Sequence, residues 1–265
     1  MCFASALGLA AAFALPAFAA ECPRKDALGT ARTIVVEAAT TPRVGLGSFP
    51  GTLALQDREI VLTFDDGPSP AVDEQILAAL SEQCVRATFF LIGKRASEYP
   101  EMVRRMAAAG HTIAHHSWSH QNLKKLTPEE AQVEIDRGIA AGGAALGGLA
   151  TAAPPATPFF RYPYFEMSGP SLDYLERRGI VVFGADLWAD DWVRMTPQAQ
   201  LTRLIDSVKS AGKGILLLHD SSPQTAAALP DFLRYLRDNS YSIVHVVPSA
   251  SATPSAGVGQ NQKHE

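Results

Sequence analysis

Residues 59–92 read EIVLTFDDGPSPAVDEQILAALSEQCVRATFFLI, and their pattern decides the fold. Glu59–Phe64 is an apolar run of strand length, 71–82 carries apolar residues at helical spacing, and Ala87–Ile92 is apolar and aromatic again. The alternation continues downstream. Further strands are expected at His111–Ala114, Pro158–Arg161, Val181–Ala185, Gly214–Leu218 and Ile243–Val246, with helices over 97–109, 127–146, 170–178, 196–211 and 224–238. Thr127-Pro128 and Thr196-Pro197 place Thr at an N-cap and Pro at the first helical position, and Gly110, Gly179 and Gly212 fall where helices should stop. Strand–helix repetition of this kind implies an α/β fold with a mostly parallel sheet, and seven strands imply a barrel one unit short of eight-fold.

The chain has 265 residues, of which 47% are hydrophobic and 19% charged, enough for one large domain. A formal net charge of -4 gives no sign of a nucleic-acid surface. Residues 1–20 carry no charge, are rich in Ala, Leu and Phe, and end in Ala17-Phe18-Ala19-Ala20, which reads as a signal peptide rather than a membrane anchor. The expectation is therefore an exported protein, periplasmic or secreted, with no membrane span once mature. Removal of the leader leaves Cys22 and Cys84, which in an oxidising compartment suggest one disulfide; the alternative is a free, buried Cys84. Residues 21–58 read as an N-terminal extension, 59–248 as a catalytic domain and 249–265 as a loose tail. Residues 151–158 hold three prolines and read as a rigid loop.

The polar residues follow the strands. Asp65 and Asp66 close the first, His116 and His120 follow the third, Arg161 ends the fourth, Asp186 follows the fifth, and His219-Asp220 follow the sixth. C-terminal strand ends are where α/β sheets and barrels build their sites. One carboxylate with two imidazoles can hold a metal and leave positions open, and the second carboxylate can act as a base toward water, so a metal hydrolase is the first hypothesis. His116 and His120 are four apart, which one helical turn would bring to the same side. His115 reads as a supporting or structural residue. Arg161 should pair with a carboxylate, and Asp65 is the natural candidate. His219 could be a protonated general acid tuned by Asp191, with Trp192 as an apolar wall.

In order, Thr63–Gly67, His116–His120, Arg161–Tyr164, Asp191-Trp192 and Leu216–His219 resemble the five blocks of polysaccharide deacetylases of the NodB-homology type, carbohydrate esterase family four. The resemblance covers about residues 59 to 247. It implies a distorted (β/α)7 barrel and metal-assisted removal of N-acetyl groups from an N-acetylglucosamine glycan of chitooligosaccharide or peptidoglycan type, releasing acetate. By matching position, Asp66, His116 and His120 would bind a divalent metal, typically zinc; Asp65 would be the general base and His219 the general acid. Arg161 would orient Asp65, the Tyr164 backbone N–H would help hold an oxyanion, and Trp192 and Leu216 would line the acetyl pocket. The chain departs from the family at Phe165, where glycine is usual, and in the spacing around Asp186, Asp190 and Asp191. The expected partner is the acetylated glycan, and the expected state a monomer. Rival readings are an O-acetyl esterase on a xylan-like glycan and a non-catalytic glycan-binding domain. A glycosidase fits poorly, because its carboxylates must flank the scissile bond at ~5–9 Å.

Overall fold

A computed structural model describes residue 22 and residues 24–147 and 157–249. The expected leader, most of the proline-rich loop and nearly all of the expected tail lie outside the described residues.

Among the described residues, ten strands, all paired in parallel, alternate with seven α-helices: β1 (Thr30–Val36), β2 (Arg43–Val44), β3 (Glu59–Asp65), α1 (Pro70–Glu82), β4 (Thr88–Leu91), α2 (Gly93–Glu98), α3 (Pro100–Ala108), β5 (Thr112–His115), α4 (Pro128–Leu146), β6 (Phe159–Phe160), α5 (Gly169–Arg177), β7 (Val181–Phe183), β8 (Leu187–Trp188), α6 (Pro197–Ala211), β9 (Gly214–His219), α7 (Pro223–Asp238) and β10 (Ser242–Pro248). The α/β class is as expected. Thr127 caps α4 in a reciprocal capping box with Glu130, and Thr196 caps α6. The single helix expected over 97–109 is two, because Pro100 starts a new helix after Tyr99.

The barrel path runs β8-β9-β3-β4-β5-β6-β7. Its seventh strand is the two-residue β8, not the expected 243–246 segment. That segment is the middle of β10, which lies between β1 and the first residues of β3. β7 and β8 do not pair with each other, and the seam between them is closed from the N-terminal segment. β2 pairs with β7, Gly47 N–H donates to Ala185 O, and the Asp186 carboxylate accepts from Leu46 N–H, Thr52 Oγ1 and Ile215 N–H. The N-terminal extension is thus part of the barrel wall, and Asp186 is its clasp. A Cys22–Cys84 disulfide ties the start of that segment to the residue two positions beyond α1.

Strand alternation divides the core in two. Val61, Phe90, Ala114, Phe159, Phe183 and Ile215 fill the barrel together with Leu53 and Leu55. Ile60, Leu62, Phe64, Leu216 and Leu218 face the helical layer.

Candidate active site

β3 is buried along its whole length, and Asp65 is its last residue, in register with His219 of β9. Alternation puts Val61, Thr63 and Asp65 on the barrel-interior face. There the fully buried Arg161 guanidinium donates to Asp65 Oδ1 at 2.7 Å, Thr63 Oγ1 at 2.8 Å and Gly184 O at 2.8 Å, and lies over the Phe90 ring. The expected Arg161–Asp65 pair is present. It leaves Asp65 Oδ2 turned toward His116 Nε2, 3.9 Å away.

Asp66 follows in the left-handed conformation, φ 79°. That turn, rather than the strand pleat, brings the second carboxylate back beside the first. Asp66 Oδ1 is buried without a hydrogen-bond partner and lies 3.1 Å from His120 Nε2 and 3.5 Å from His116 Nε2. Despite burial, the neighbouring histidines hold Asp66 well below the usual carboxylate range.

The two histidines converge without a helix. Residues 116–122 form a loop with Ser117 at φ 63° and His120 at φ 61°, closed by His120 N–H donating to Ser117 Oγ. Glu134 of α4, which the sequence reading missed, accepts from Ser119 N–H and Oγ and pins this loop. His116 Nδ1–H donates to Arg161 O at 2.7 Å, so its Nε2 lone pair faces Asp66. Burial pushes the His116 pKa down and favours that neutral ring. His120 Nδ1 lies 3.1 Å from the Tyr164 hydroxyl. His115 points the other way, its ring against Gly142 of α4, where any Cβ would come within 2.9 Å.

His219 Nδ1–H donates to Asp191 Oδ1 at 2.7 Å, and Asp191 Oδ2 also accepts from His219 N–H and Thr225 Oγ1. Burial pushes His219 down, but the hydrogen bond and charge of Asp191, with Asp65 and Asp66 nearby, outweigh it and raise the pKa to about 9. The half-exposed Trp192 packs edge-on to His219 at 5.8 Å. Asp190 pairs instead with Arg203, and Asp186 belongs to the seam.

One expected pocket residue changes. Leu216 was expected to line an acetyl pocket, but its side chain lies in the helix-facing core. Counting alternate residues back from His219 puts Leu217 on the site face. Phe165, the departure from glycine, has φ 55°, and Tyr164 before it φ 58°. The left-handed backbone explains why glycine suits position 165. Beside His120 and Tyr164 opens a cavity of about 650 Å³, also lined by Gln121, Asn122, Lys125 and Glu166. A second cavity of about 520 Å³, between β8 and α6, touches neither histidine nor Asp65 nor Asp66.

Asp66, His116 and His120 offer three ligand atoms within 4.8 Å of one another. The orphaned Asp66 oxygen and an Nε2 lone pair aimed at it suit a divalent cation, and an oxygen–nitrogen donor set suits zinc and its neighbours.

Residues 53–183 match the family model described as polysaccharide deacetylase. A chitooligosaccharide deacetylase of a Bradyrhizobium species is 34% identical over 68% of this chain and 77% of its own length. Another, from Sinorhizobium fredii, is 30% identical over 77% of this chain and 93% of its own. Among solved structures, a peptidoglycan deacetylase of Bdellovibrio bacteriovorus superposes with a TM-score of 0.75 at 31% identity, over 87% of this chain and 62% of that one.

Proposed function

The chain belongs to the polysaccharide deacetylase family, and on that premise we propose that it is a metal-dependent hydrolase removing N-acetyl groups from an N-acetylglucosamine glycan. The observation that carries this reading is the juxtaposition of two differently held carboxylates, a His pair and an imidazole paired with Asp191 at one barrel mouth. Asp66, His116 and His120 would hold the metal, with zinc the first candidate. A divalent metal bound there would polarise the acetyl carbonyl and acidify a water molecule.

The remaining chemistry belongs to the chain. Asp65 takes a proton from the attacking water, and Arg161 keeps the carboxylate aimed. His219 gives its proton to the amide nitrogen as the bond to the acetyl carbon breaks, so the sugar leaves as a neutral amine and acetate remains. An amide needs that proton, because an unprotonated amine leaves poorly. The Tyr164 N–H would donate to the carbonyl oxygen as it gains charge. Trp192 and Leu217 would wall the acetyl methyl.

The disulfide supports export to an oxidising compartment. Among the described residues no helix is long and apolar enough to cross a membrane. We place residues 59–248 as the catalytic domain, completed by the N-terminal segment and working as a monomer.

Purified protein is expected to release acetate from chitin oligomers, to stop when chelated and to resume with zinc. Zinc bound without acetate from these oligomers would move the reading to peptidoglycan or O-acetylated glycan, and no acetate from any of them would leave binding alone. The pH profile carries a second expectation. His219 acts as its protonated form, so the rate should fall as pH rises through about 9. Asp191→Asn removes the charge that holds that pKa up, and the alkaline limb should move toward neutral pH; an unmoved limb would assign it to another group.

A further inference from the structure

Two carboxyl groups that the chemistry above does not use face each other behind the Asp66 turn. Asp220 is completely buried, and neither of its oxygens has a hydrogen-bond donor. Asp73, in the first turn of α1, is completely buried as well; its Oδ2 accepts Ser69 N–H at 2.6 Å, and its Oδ1 has no donor. The two side chains are within hydrogen-bonding reach of each other. The charged groups around them are Asp65, Asp66, Glu74 and Arg95, and Arg95 donates elsewhere, to Ser69 Oγ and Asp66 O.

Two neighbouring buried carboxylates with no donor between them cannot both stay ionised without a large cost. One proton held between them turns two mutually repelling acceptors into a donor–acceptor pair and satisfies the orphaned oxygens. Burial raises Asp73 to about 6, against the hydrogen bond with Asp220, and burial together with the charge of Asp73 raises Asp220 well above the carboxylate range.

The pair sits where three pieces of the site meet. Asp220 N–H donates to Asp65 O at the end of β3. The Asp220 carboxylate lies so close over Gly67 that a Cβ there would come within 2.0 Å of it. Asp73 holds the Ser69 backbone at the far end of the same turn. Asp66, between these anchors, keeps a left-handed conformation that is strained for a non-glycine residue.

We propose that Asp73 and Asp220 share a proton and act together as a positioning pair, fixing the turn that presents Asp66 relative to the strand end that presents His219. The pair deepens the proposed function, since it supports the same site, but its tests do not need the substrate. A protonated-carboxyl stretch is expected in the infrared spectrum of the whole protein at pH 7, and Asp73→Asn should remove it. Asn supplies an N–H donor to Asp220 with no shared proton, whereas Leu has a similar shape and no donor. Asp73→Leu is therefore expected to weaken zinc binding about tenfold or more, and Asp73→Asn to restore most of that loss. If Asp73→Leu does not fold, the infrared comparison of wild type with Asp73→Asn still decides. No protonated carboxyl lost in Asp73→Asn would overturn the pair, as would equal zinc affinity in the Leu and Asn variants. A second metal equivalent that vanishes with Asp73→Asn would overturn it too, by making the pair a cation site. Zinc and infrared results as expected, with no acetate released from any glycan, would sink the proposed function and leave the pair standing.

Discussion

Asp65→Asn is expected to lower kcat by about 10³-fold while leaving one equivalent of zinc bound. The substitution keeps shape and an acceptor for Arg161 but removes the base. The proposed ligand atoms, on Asp66, His116 and His120, are untouched. Stability should also fall, by about 3 kcal/mol, because Arg161 is fully buried and Asp65 is its carboxylate partner. Arg161 would still donate to Thr63 and Gly184 O, which favours a folded variant. Turnover, metal content and melting temperature measured on one preparation separate the cases. Near-normal kcat would place the base elsewhere, and lost zinc would make Asp65 a ligand.

Acid should destabilise the protein through its buried histidines. Burial lowers the pKa of His111 to about 3 and those of His115 and His245 to about 4. His111 Nδ1 accepts the Ala87 N–H, so protonating that nitrogen breaks a bond. An unfolded histidine takes its proton near 6.5. The native state therefore binds fewer protons below that pH: this stability is complete above 6.5 and is lost as pH falls toward the folded values. At pH 5 the loss is about 2 kcal/mol for each ring, about 6 in all, a large part of an ordinary domain's stability. His219 works oppositely, since its raised pKa stabilises below 6.5 and that contribution is lost as pH rises through about 9. Urea unfolding at pH 7 and 5 measures the difference. His111→Asn keeps an acceptor for Ala87 without the titration and should shrink the drop by about a third. Equal stability of the wild type at both pH values would refute the argument.

Both experiments use residues whose place in the fold was legible to different degrees. Asp65 and His219 could be read because each ends a long apolar strand, and Arg161 because it follows the aromatic pair Phe159-Phe160; strand ends share one face. β8 could not, since two residues carry no periodicity. β1 and β2 lie in a Gly-, Pro- and Thr-rich stretch and gain their pairing only from distant partners, β10 and β7. The His116–His120 spacing suggested a helical turn. The chain instead uses left-handed Ser117 and His120, residues whose identity does not announce that backbone. Leu217 was within reach, by stepping back two residues from His219. Asp73 was not, because an acid in the first turn of a helix is ordinary and only the fold shows it facing Asp220.

The first strand of the sheet lies against the last. β1 pairs along β10 from Thr30 with Ile243 to Val36 with Pro248, so more than two hundred residues separate partners in one ladder. A chain emerging from its N-terminus cannot finish this pairing until its far end has been made. Until then β1 waits as an open edge, and the barrel interior lacks Val244 and Val246. Locking is thus deferred to the end of synthesis, which would suit the export proposed above.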